Sequence, residues 1–316
     1  MYKGKKIGVA IPCFNVENHI VKVIQTMPAF VDRMLVVDDC SSDKTRALIE
    51  DQSQKQPERV FPIYHKENWG VGGAIISGYK EALKEKMDVV AVMAGDAQMD
   101  PEELESLVEL VVSGKADYSK GNRLIYGEAW QTIPKMRYLG NSVLSLLTKV
   151  ASGYWHVADS QTGYTVIRSE SLRRIDLDKV YKSYGVPNDL LVRLNVISSK
   201  VKEIPIKPIY HIKGISGIRY WKVIPKIGFL LLKLFFWRLW QKYVVRDFHP
   251  LVFFYLTSIV LLPAGVLLGL YLIYSRFTVG QVEFPALFFD LFLIVSGIQF
   301  LLFAMWFDMD YNRDLK

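Results

Sequence analysis

The chain has 316 residues, of which 51% are hydrophobic, and it carries a formal net charge of +7. This length allows one large or two modest domains with a real core, and the apolar content is high for a purely soluble protein. The excess is uneven, because the chain becomes rich in Leu and Phe beyond about residue 219. Basic residues recur from here to the first long uncharged run, which favours a lipid surface and argues against a nucleic-acid partner. They are Lys222, Lys226, Lys233, Arg238, Lys242 and Arg246.

Apolar runs bounded by turn residues alternate with helical periodicity through the first half of the chain. The predicted strands are residues 6–11, 34–37, 60–64, 89–93, 165–167 and 201–206. The predicted helices are residues 17–27, 43–54, 71–85, 101–112, 139–150 and 188–197. This order predicts an α/β fold with a mostly parallel, Rossmann-like sheet covered by helices on both faces. Ligands of such sheets bind beyond the carboxyl ends of the strands.

The tail predicts membrane association. Residues 220–249 mix aromatic and basic side chains whose charges form no single stripe, so we predict two short amphipathic helices along the headgroups. Packing of these helices on the globular body is the alternative. Residues 251–274 and 284–307 are nearly uncharged; each, at about 24 residues, would extend roughly 36 Å and span a bilayer core of ~30 Å. Residues 250–316 are therefore predicted to form a transmembrane hairpin.

The basic residues before the first span place the preceding body, residues 1–219, in the cytosol, and the hairpin returns the C-terminus to the same side. We therefore expect an integral membrane protein with a cytosolic body, both termini cytosolic, and Cys13 and Cys40 as reduced thiols. In the first span, Gly265 and Gly269 form a small-xxx-small pair. The pair predicts a helix-packing face for a homo-oligomer, although chance gives the same pattern. Asp290, near the outer end of the second span, is expected to snorkel outward.

Polar residues follow the first two predicted strands. Pro12 ends the first strand, and Phe14 and Glu17 are suited to contact a base or ribose, although a plain strand-to-helix turn would look the same. Asp39 follows the second strand, and the residues after it are suited to cap the next helix. Because capping does not need a further carboxylate, Asp39 is predicted to accept hydrogen bonds from a nucleobase imide or a ribose hydroxyl.

Two more groups follow the third and fourth strands. A glycine-rich run that includes Gly73 opens a helix, where glycine allows close backbone approach and the helix N-terminus presents N–H groups to an anion. Asp96 and Gln98 follow a fully apolar strand. Their oxygens suit Mg²⁺ or Mn²⁺ that also binds phosphate, and such a metal would neutralise charge on a leaving diphosphate.

Together these four groups resemble the family-two inverting glycosyltransferases with the GT-A fold, specifically the dolichyl-phosphate mannose or glucose synthase branch. The resemblance covers about residues 6–219. It implies transfer of a hexose from a UDP- or GDP-sugar to a polyprenyl phosphate at the membrane. It also implies that Asp96 and Gln98 hold the metal. The residues implied to line the nucleotide-sugar pocket are Pro12, Phe14, Glu17, Asp39, Gly73 and Asp96.

The acceptor side rests on the same resemblance. Residues 121–123 resemble the family's Gly-Ser-Arg segment, which implies that Arg123 approaches the acceptor phosphate. Arg137 and Asn141 stand at the right spacing to assist it.

Two further segments are implied to contact the donor. Residues 159–164 resemble the family's Asp-x-x-x-Gly-Phe segment, which implies that Asp159 lies near the donor sugar. Residues 214–216 resemble a Gly-x-Ser loop, which implies that Ser216 closes over the diphosphate.

The sequence departs from the family pattern at two places. Ala94 stands where the first Asp of the usual Asp-x-Asp metal motif would be, so metal binding depends on Asp96, Gln98, diphosphate and water. The basic residues usual around the Gly-x-Ser loop are replaced by His211 and Gly217, and either Lys213 or Arg219 is a candidate to supply the charge.

The nature of the acceptor decides whether a base is needed. A phosphate monoester is already ionised at neutral pH, because its second pKa is about 6. A sugar hydroxyl needs a carboxylate base, and Asp189 stands near where related enzymes carry one. Its alternative role is that of a helix N-terminal residue. Two other functions remain open: a membrane-anchored transferase extending a glycan or polysaccharide, and a non-catalytic scaffold without metal.

Overall fold

The computed structural model describes residues 1–127, 135–209 and 220–316, and side chains for all of these except 135–137 and 220–224. The chain forms two compact units. The first comprises Met1–Phe235 with Asp314–Lys316, and the second comprises Phe236–Arg313.

A seven-stranded, mostly parallel sheet organises the first unit. Its strands are β1 (Ile7–Cys13), β2 (Arg33–Asp38), β3 (Val60–Tyr64), β4 (Val89–Val92), β5 (Tyr118–Asn122), β6 (Thr165–Arg168) and β7 (Val201–Pro205). The strand order is β3-β2-β1-β4-β6-β5-β7, and only β6 runs antiparallel to its neighbours. The predicted sheet and its six predicted strands are confirmed.

Helices cover both faces of this sheet. They are α1 (Ile20–Gln25), α2 (Thr45–Lys55), α3 (Gly70–Lys84), α4 (Leu104–Val112), α5 (Lys135–Ser152), α6 (Ser169–Arg173) and α7 (Val186–Val196). Along β1, Val9 and Ile11 belong to the core that contains α1 and α4, whereas Ala10 belongs to the core that contains α3 and α7. This alternation follows from the two-residue period of a strand.

Strand β5 was not predicted because its residues are mostly polar, yet all five are buried. Ser119 donates to the Leu107 carbonyl oxygen at 2.7 Å, and the Lys120 ammonium donates to the Asp159 carbonyl oxygen. Partners from other elements therefore satisfy the polar groups that hide this strand from a search for hydrophobic runs. The short helix α6 was also not predicted.

Helix α1 is shorter than the predicted residues 17–27. The backbone N–H groups of Val16 and Glu17 donate to Thr45 Oγ1 at 2.8 Å and to Asp43 Oδ2 at 3.1 Å. Because the segment after β2 holds these donors, the helix begins only at Ile20.

The helix α8 (Tyr220–Trp240) continues into a π-helical turn, Gln241–Arg246. The expectation of two short helices in this region is therefore wrong. Arg238 and Lys242, which the sequence analysis treated as surface charges, are buried within the second unit. The Arg238 guanidinium pairs with both oxygens of Asp308 at 2.8 and 3.0 Å, and the Lys242 ammonium donates to Asn312 Oδ1 at 2.7 Å.

Two long apolar helices form most of the second unit, α9 (Leu251–Thr278) and α10 (Phe284–Tyr311). Both are long and apolar enough to cross a membrane, and they contain the two predicted spans. That they do cross one stays a prediction.

The small-residue pair of α9 packs inside the hairpin. A Cβ added to Gly265 would lie 2.7 Å from Ile294 Cγ1, and one added to Gly269 would lie 3.2 Å from Asp290 Oδ2. Asp290 therefore faces its own hairpin partner, and the expectation that it snorkels outward is wrong. The glycine pair serves this intramolecular contact, and homo-oligomerisation stays a prediction.

Candidate active site

Asp39, directly after β2, is buried against the N-terminus of α3. Its Oδ1 accepts from the Trp69 backbone N–H at 2.9 Å, and its Oδ2 accepts from the Gly70 N–H at 2.8 Å. His65 Nδ1 lies 2.7 Å from the same Oδ1, and His65 Nε2 lies 2.9 Å from Ser77 Oγ. This helix N-terminus was expected to hold a bound anion, but a carboxylate of the chain already occupies it.

The glycines at the start of α3 allow another part of the chain to approach closely. A Cβ on Gly70 would lie 2.8 Å from the Lys182 carbonyl oxygen, and one on Gly72 would lie 2.5 Å from the Tyr181 carbonyl oxygen. The Gly73 N–H donates to the Lys182 carbonyl oxygen at 3.1 Å. The close approach predicted for a ligand is thus made by residues 181–182, and Gly73 lines neither of the cavities described below.

A cavity of about 440 Å³ opens at the carboxyl ends of β1, β2 and β4. It brings together four of the residues predicted for the nucleotide-sugar pocket: Pro12, Phe14, Asp39 and Asp96. Its other described lining residues are Cys13, Val16, Asn68, Gly70, Val71, Ala74, Ala94, Gly95, Ser183 and Tyr184. Burial raises the pKa of the Cys13 thiol well above its usual value, so this lining residue is a neutral thiol.

Glu17, which was also predicted for this pocket, lies elsewhere. Glu17 Oε2 accepts from the Lys44 N–H at 3.0 Å at the start of α2, and Glu17 is not among the lining residues. Ser216 lies outside the described residues, as do His211, Lys213, Gly217 and Arg219.

A second, smaller cavity of about 70 Å³ shares Asp96 with the first. Gln98 and Arg123 also line it, so the predicted metal ligands and the predicted acceptor arginine meet at one place. The Gln98 N–H donates to Asp96 Oδ1 at 3.1 Å, which fixes the carboxylate at the start of the loop. Within the described part of the chain, no group of three or more His, Cys, Asp or Glu residues could hold a metal.

Arg123 is held by a buried carboxylate. Its Nε and Nη2 donate to Asp159 Oδ2 and Oδ1 at 2.8 and 3.1 Å, and its backbone N–H also donates to Oδ2. Burial alone would raise the pKa of Asp159, but the charges of Arg123 and Lys120 hold it below the usual value. Asp159 is therefore ionised beneath Arg123, and it lines neither cavity, contrary to the expected contact with the donor sugar.

Glu203 on β7 holds the backbone next to Asp159 and the side chain of Asn122 in place. Its Oε1 accepts from the Asp159 N–H at 3.0 Å, and its Oε2 accepts from the Ala158 N–H at 2.8 Å and from Asn122 Nδ2 at 2.7 Å. Two neighbouring strands and the segment before β6 thus fix the position of Arg123.

Asp189 lies in the first turn of α7 and is buried. Its Oδ2 accepts from the Tyr181 N–H at 2.7 Å, and its Oδ1 accepts from Arg193 Nε at 2.8 Å. Burial raises the pKa of Asp189, and the Arg193 charge only partly opposes this. Both oxygens hold protein donors, which agrees with the helix N-terminal role rather than with that of a base.

The two remaining acceptor residues lie on α5. Asn141 is half-buried and lines neither cavity. The side chain of Arg137 lies outside the described residues, so its predicted contact with the acceptor stays a prediction.

Sequence reasoning missed His65, Lys207 and the pair Ser183 and Tyr184. His65 directly follows β3, so the strand-end rule alone would have found it. Lys207 lines the smaller cavity with Arg123 but follows β7 in a segment without a recognisable motif. Ser183 and Tyr184 belong to an irregular connection and carried no signal.

The chain is similar to known glycosyltransferases. The family profile described as glycosyl transferase family 2 matches residues 8–176. A UDP-N-acetylglucosamine–dolichyl-phosphate N-acetylglucosaminyltransferase from Methanococcus voltae is 27% identical over 218 residues, which cover 65% of this chain and 86% of that protein. An undecaprenyl-phosphate mannosyltransferase from Micrococcus luteus is 32% identical over 174 residues, which cover 55% of this chain and 70% of that protein.

Among solved structures, glucosyl-3-phosphoglycerate synthase from Mycobacterium tuberculosis, in complex with Mn²⁺, UDP and glucosyl-3-phosphoglycerate, superposes with a TM-score of 0.53. The alignment covers 74% of this chain and 80% of that one at 18% identity. At this identity the likeness concerns the fold, which is the GT-A arrangement.

Proposed function

Because this chain belongs to glycosyl transferase family 2, we propose that it transfers a hexose, with inversion, from a nucleotide-diphosphate sugar to a polyprenyl phosphate. The observation that carries the proposal is the position of Asp96, which lines both cavities. Phe14 and Asp39 line the larger cavity with it, and Arg123 lines the smaller one with it. The larger cavity would thus hold the nucleoside, the edge at Asp96 the diphosphate with its sugar, and the smaller cavity the acceptor phosphate.

The lipid phosphate acceptor is supported by the relatives, which are named for dolichyl and undecaprenyl phosphate. In the proposed step a phosphate oxygen bonds to the anomeric carbon while the bond from that carbon to the diphosphate oxygen breaks. The electron pair leaves on the nucleoside diphosphate. A phosphate monoester, with a second pKa of about 6, needs no base for this attack.

The competing acceptor is a glycan hydroxyl, which would need a general base. Asp189 is the candidate, but its two oxygens are occupied by the Tyr181 N–H and by Arg193. Because both oxygens already accept hydrogen bonds from the protein, Asp189 is a poor general base, which favours the phosphate acceptor.

A divalent cation fits the residues at the shared edge of the cavities. Asp96 offers a carboxylate and Gln98 an amide oxygen, and Mg²⁺ or Mn²⁺ commonly completes such a small protein set with diphosphate oxygens and water. When bound there, the cation would neutralise the charge that develops on the departing diphosphate. Arg123, held by Asp159, would screen the acceptor phosphate from the donor.

For the membrane topology, we propose that α9 and α10 cross the bilayer as a hairpin and that the catalytic unit and both termini are cytosolic. Lys226, Lys233 and Arg246, which are exposed before the first span, support this orientation through the positive-inside rule. Single cysteines test it in a Cys40→Ser background. An impermeant maleimide should label Gln281→Cys from outside intact cells and Lys316→Cys only after permeabilisation. The opposite pattern would refute the orientation.

The function is tested with the purified full chain in detergent. It is offered a panel of UDP- and GDP-sugars with a polyprenyl phosphate and Mg²⁺ or Mn²⁺, and the lipid product is identified by mass spectrometry. We expect a polyprenyl phosphosugar from at least one donor. Asp96→Asn should abolish most of the turnover. Asp178→Asn, at an exposed position distant from Asp96 in the sequence, should keep the native turnover. Transfer only to a glycan hydroxyl would refute the acceptor, and full turnover of Asp96→Asn would refute the metal site.

A further inference from the structure

The connection between β6 and α7 supplies two residues to the larger cavity. Ser183 and Tyr184 line it together with Phe14 and Asp39, although they lie about 90 residues beyond Asp96 in the chain. Tyr184 is 50% exposed, as is Phe14. A large aromatic side chain that stays half-exposed at a cavity is available to a ligand.

The backbone on either side of these residues is fixed. The Asp189 carboxylate accepts from the Tyr181 N–H, and the Lys182 carbonyl oxygen accepts from the Gly73 N–H. On the other side, the Val186 N–H donates to the Ser183 carbonyl oxygen at 3.0 Å. The side chain of Tyr184 therefore extends from an anchored segment, which lowers the entropy cost of holding it against a ligand.

The glycines of α3 and the buried Asp189 both hold the segment that leads to Tyr184 in place. Gly70 and Gly72 leave the space that residues 181–182 fill, and Asp189 ties Tyr181 to α7. Replacing either glycine would displace the segment that ends in Tyr184.

The chemistry of the cavity indicates which part of a donor it fits. Its described lining residues include the rings of Phe14 and Tyr184 and the carboxylates of Asp39 and Asp96, but no Lys, Arg or His. Aromatic rings stack on a planar base, whereas diphosphate oxygens need cations. This set of residues suits the uncharged nucleoside half of the donor.

We propose that Tyr184 contacts the base of the donor nucleotide, in the same cavity as Phe14. The inference rests on the proposed use of a nucleotide-sugar donor and adds a residue to its binding site. It makes no use of the lipid acceptor.

The test measures equilibrium binding of UDP and of GDP, each with Mg²⁺, to the full chain in detergent. Tyr184→Ala should weaken binding of the preferred nucleotide by about tenfold, within the range found for removing one base-stacking ring. Tyr184→Phe keeps the ring and should bind within about twofold of the native chain. Lys182→Ala is the matched control, because Lys182 is exposed in the same segment but does not line the cavity.

Steady-state kinetics supply a second readout. Tyr184→Ala should raise the KM for the nucleotide sugar and leave the KM for polyprenyl phosphate unchanged. Nucleotide binding by Tyr184→Ala within twofold of the native chain would overturn the inference alone. Native binding of nucleotide without transfer to a lipid phosphate would overturn the proposed acceptor but not the inference. A native chain that binds neither nucleotide would overturn both.

Discussion

The pair formed by Arg123 and Asp159 gives a prediction that separates two roles for the same carboxylate. Resemblance to related enzymes assigns Asp159 to the donor sugar, whereas the structure buries it beneath Arg123 with two charge-assisted hydrogen bonds. In Asp159→Asn the guanidinium loses its counter-charge, and an amide N–H₂ group faces Arg123 Nε. Loss of hydrogen bonds to a charged group should lower kcat/KM for the acceptor by about 10–100-fold.

The same substitution should also destabilise the fold. Removing one partner of a buried ion pair costs about 3–5 kcal/mol. In the native chain the Gln161 N–H donates to Asp159 Oδ1, and the oxygen of the introduced amide can still accept this hydrogen bond. We therefore expect the lower end of the range, about 3 kcal/mol. For a unit of this size that corresponds to a fall in Tm of roughly 6–12 °C.

The assay compares transfer kinetics and thermal unfolding of the native chain with those of Asp159→Asn. Asp178→Asn serves as the control, because the Asp178 carboxylate is 81% exposed in its pair with Lys80. Exposed ion pairs contribute about 0–1 kcal/mol, so this control should unfold near the native temperature. An Asp159→Asn chain that folds normally and loses affinity for the nucleotide sugar rather than the acceptor would refute the reasoning and restore the donor-sugar role.

The pH dependence of stability has a definite sign for this residue. Because the pKa of Asp159 is lowered in the folded chain, its ionised form stabilises the fold fully above the unfolded pKa of about 3.9. That contribution is lost as the pH falls below this value through the folded pKa. The difference in unfolding free energy between the native chain and Asp159→Asn should therefore be constant near neutral pH and shrink below about pH 4. A difference that grows on acidification would contradict this assignment.

Three further predictions concern the cavities and the metal. Gly72→Ala should lower Tm and raise the KM for the nucleotide sugar, because its Cβ would lie 2.5 Å from the Tyr181 carbonyl oxygen; an unchanged Tm would contradict the close contact. Lys207→Ala should raise the KM for polyprenyl phosphate about tenfold by removing a cation beside Arg123, and an effect on the donor KM alone would refute this. Chelation with EDTA should abolish transfer and added Mg²⁺ or Mn²⁺ should restore it; transfer that persists in EDTA would exclude metal dependence.

The parallel half of the sheet could be predicted because its strands are short apolar runs. The predicted residues 60–64 coincide with β3, and the strand-end rule found Asp39 and Asp96 at the edge where the cavities open. β5 escaped because Lys120 and its polar neighbours are satisfied by residues far along the chain. No local pattern encodes such partners.

At the site, too, individual residues could be predicted from the sequence, whereas their long-range contacts could not. Its position after a strand identified Asp39, and the family resemblance identified Arg123 and Asp159, but neither predicted that Asp159 holds Arg123 or that a helix N-terminus holds Asp39. Those contacts join residues 36 and 30 positions apart. The charges of Arg238 and Lys242 were misread for a similar reason, because a helical projection assumes that charged residues face solvent, and these two are buried.

The ion pair between Arg238 and Asp308 has a consequence for the synthesis of the chain. Its partners are 70 positions apart, and Asp308 lies near the end of α10. A ribosome therefore completes the whole sheet and the first long apolar helix before the carboxylate exists. Until then the guanidinium must stay hydrated, since an unpaired buried charge costs several kcal/mol. The ion pair therefore forms late, and only once α10 has packed in its final position.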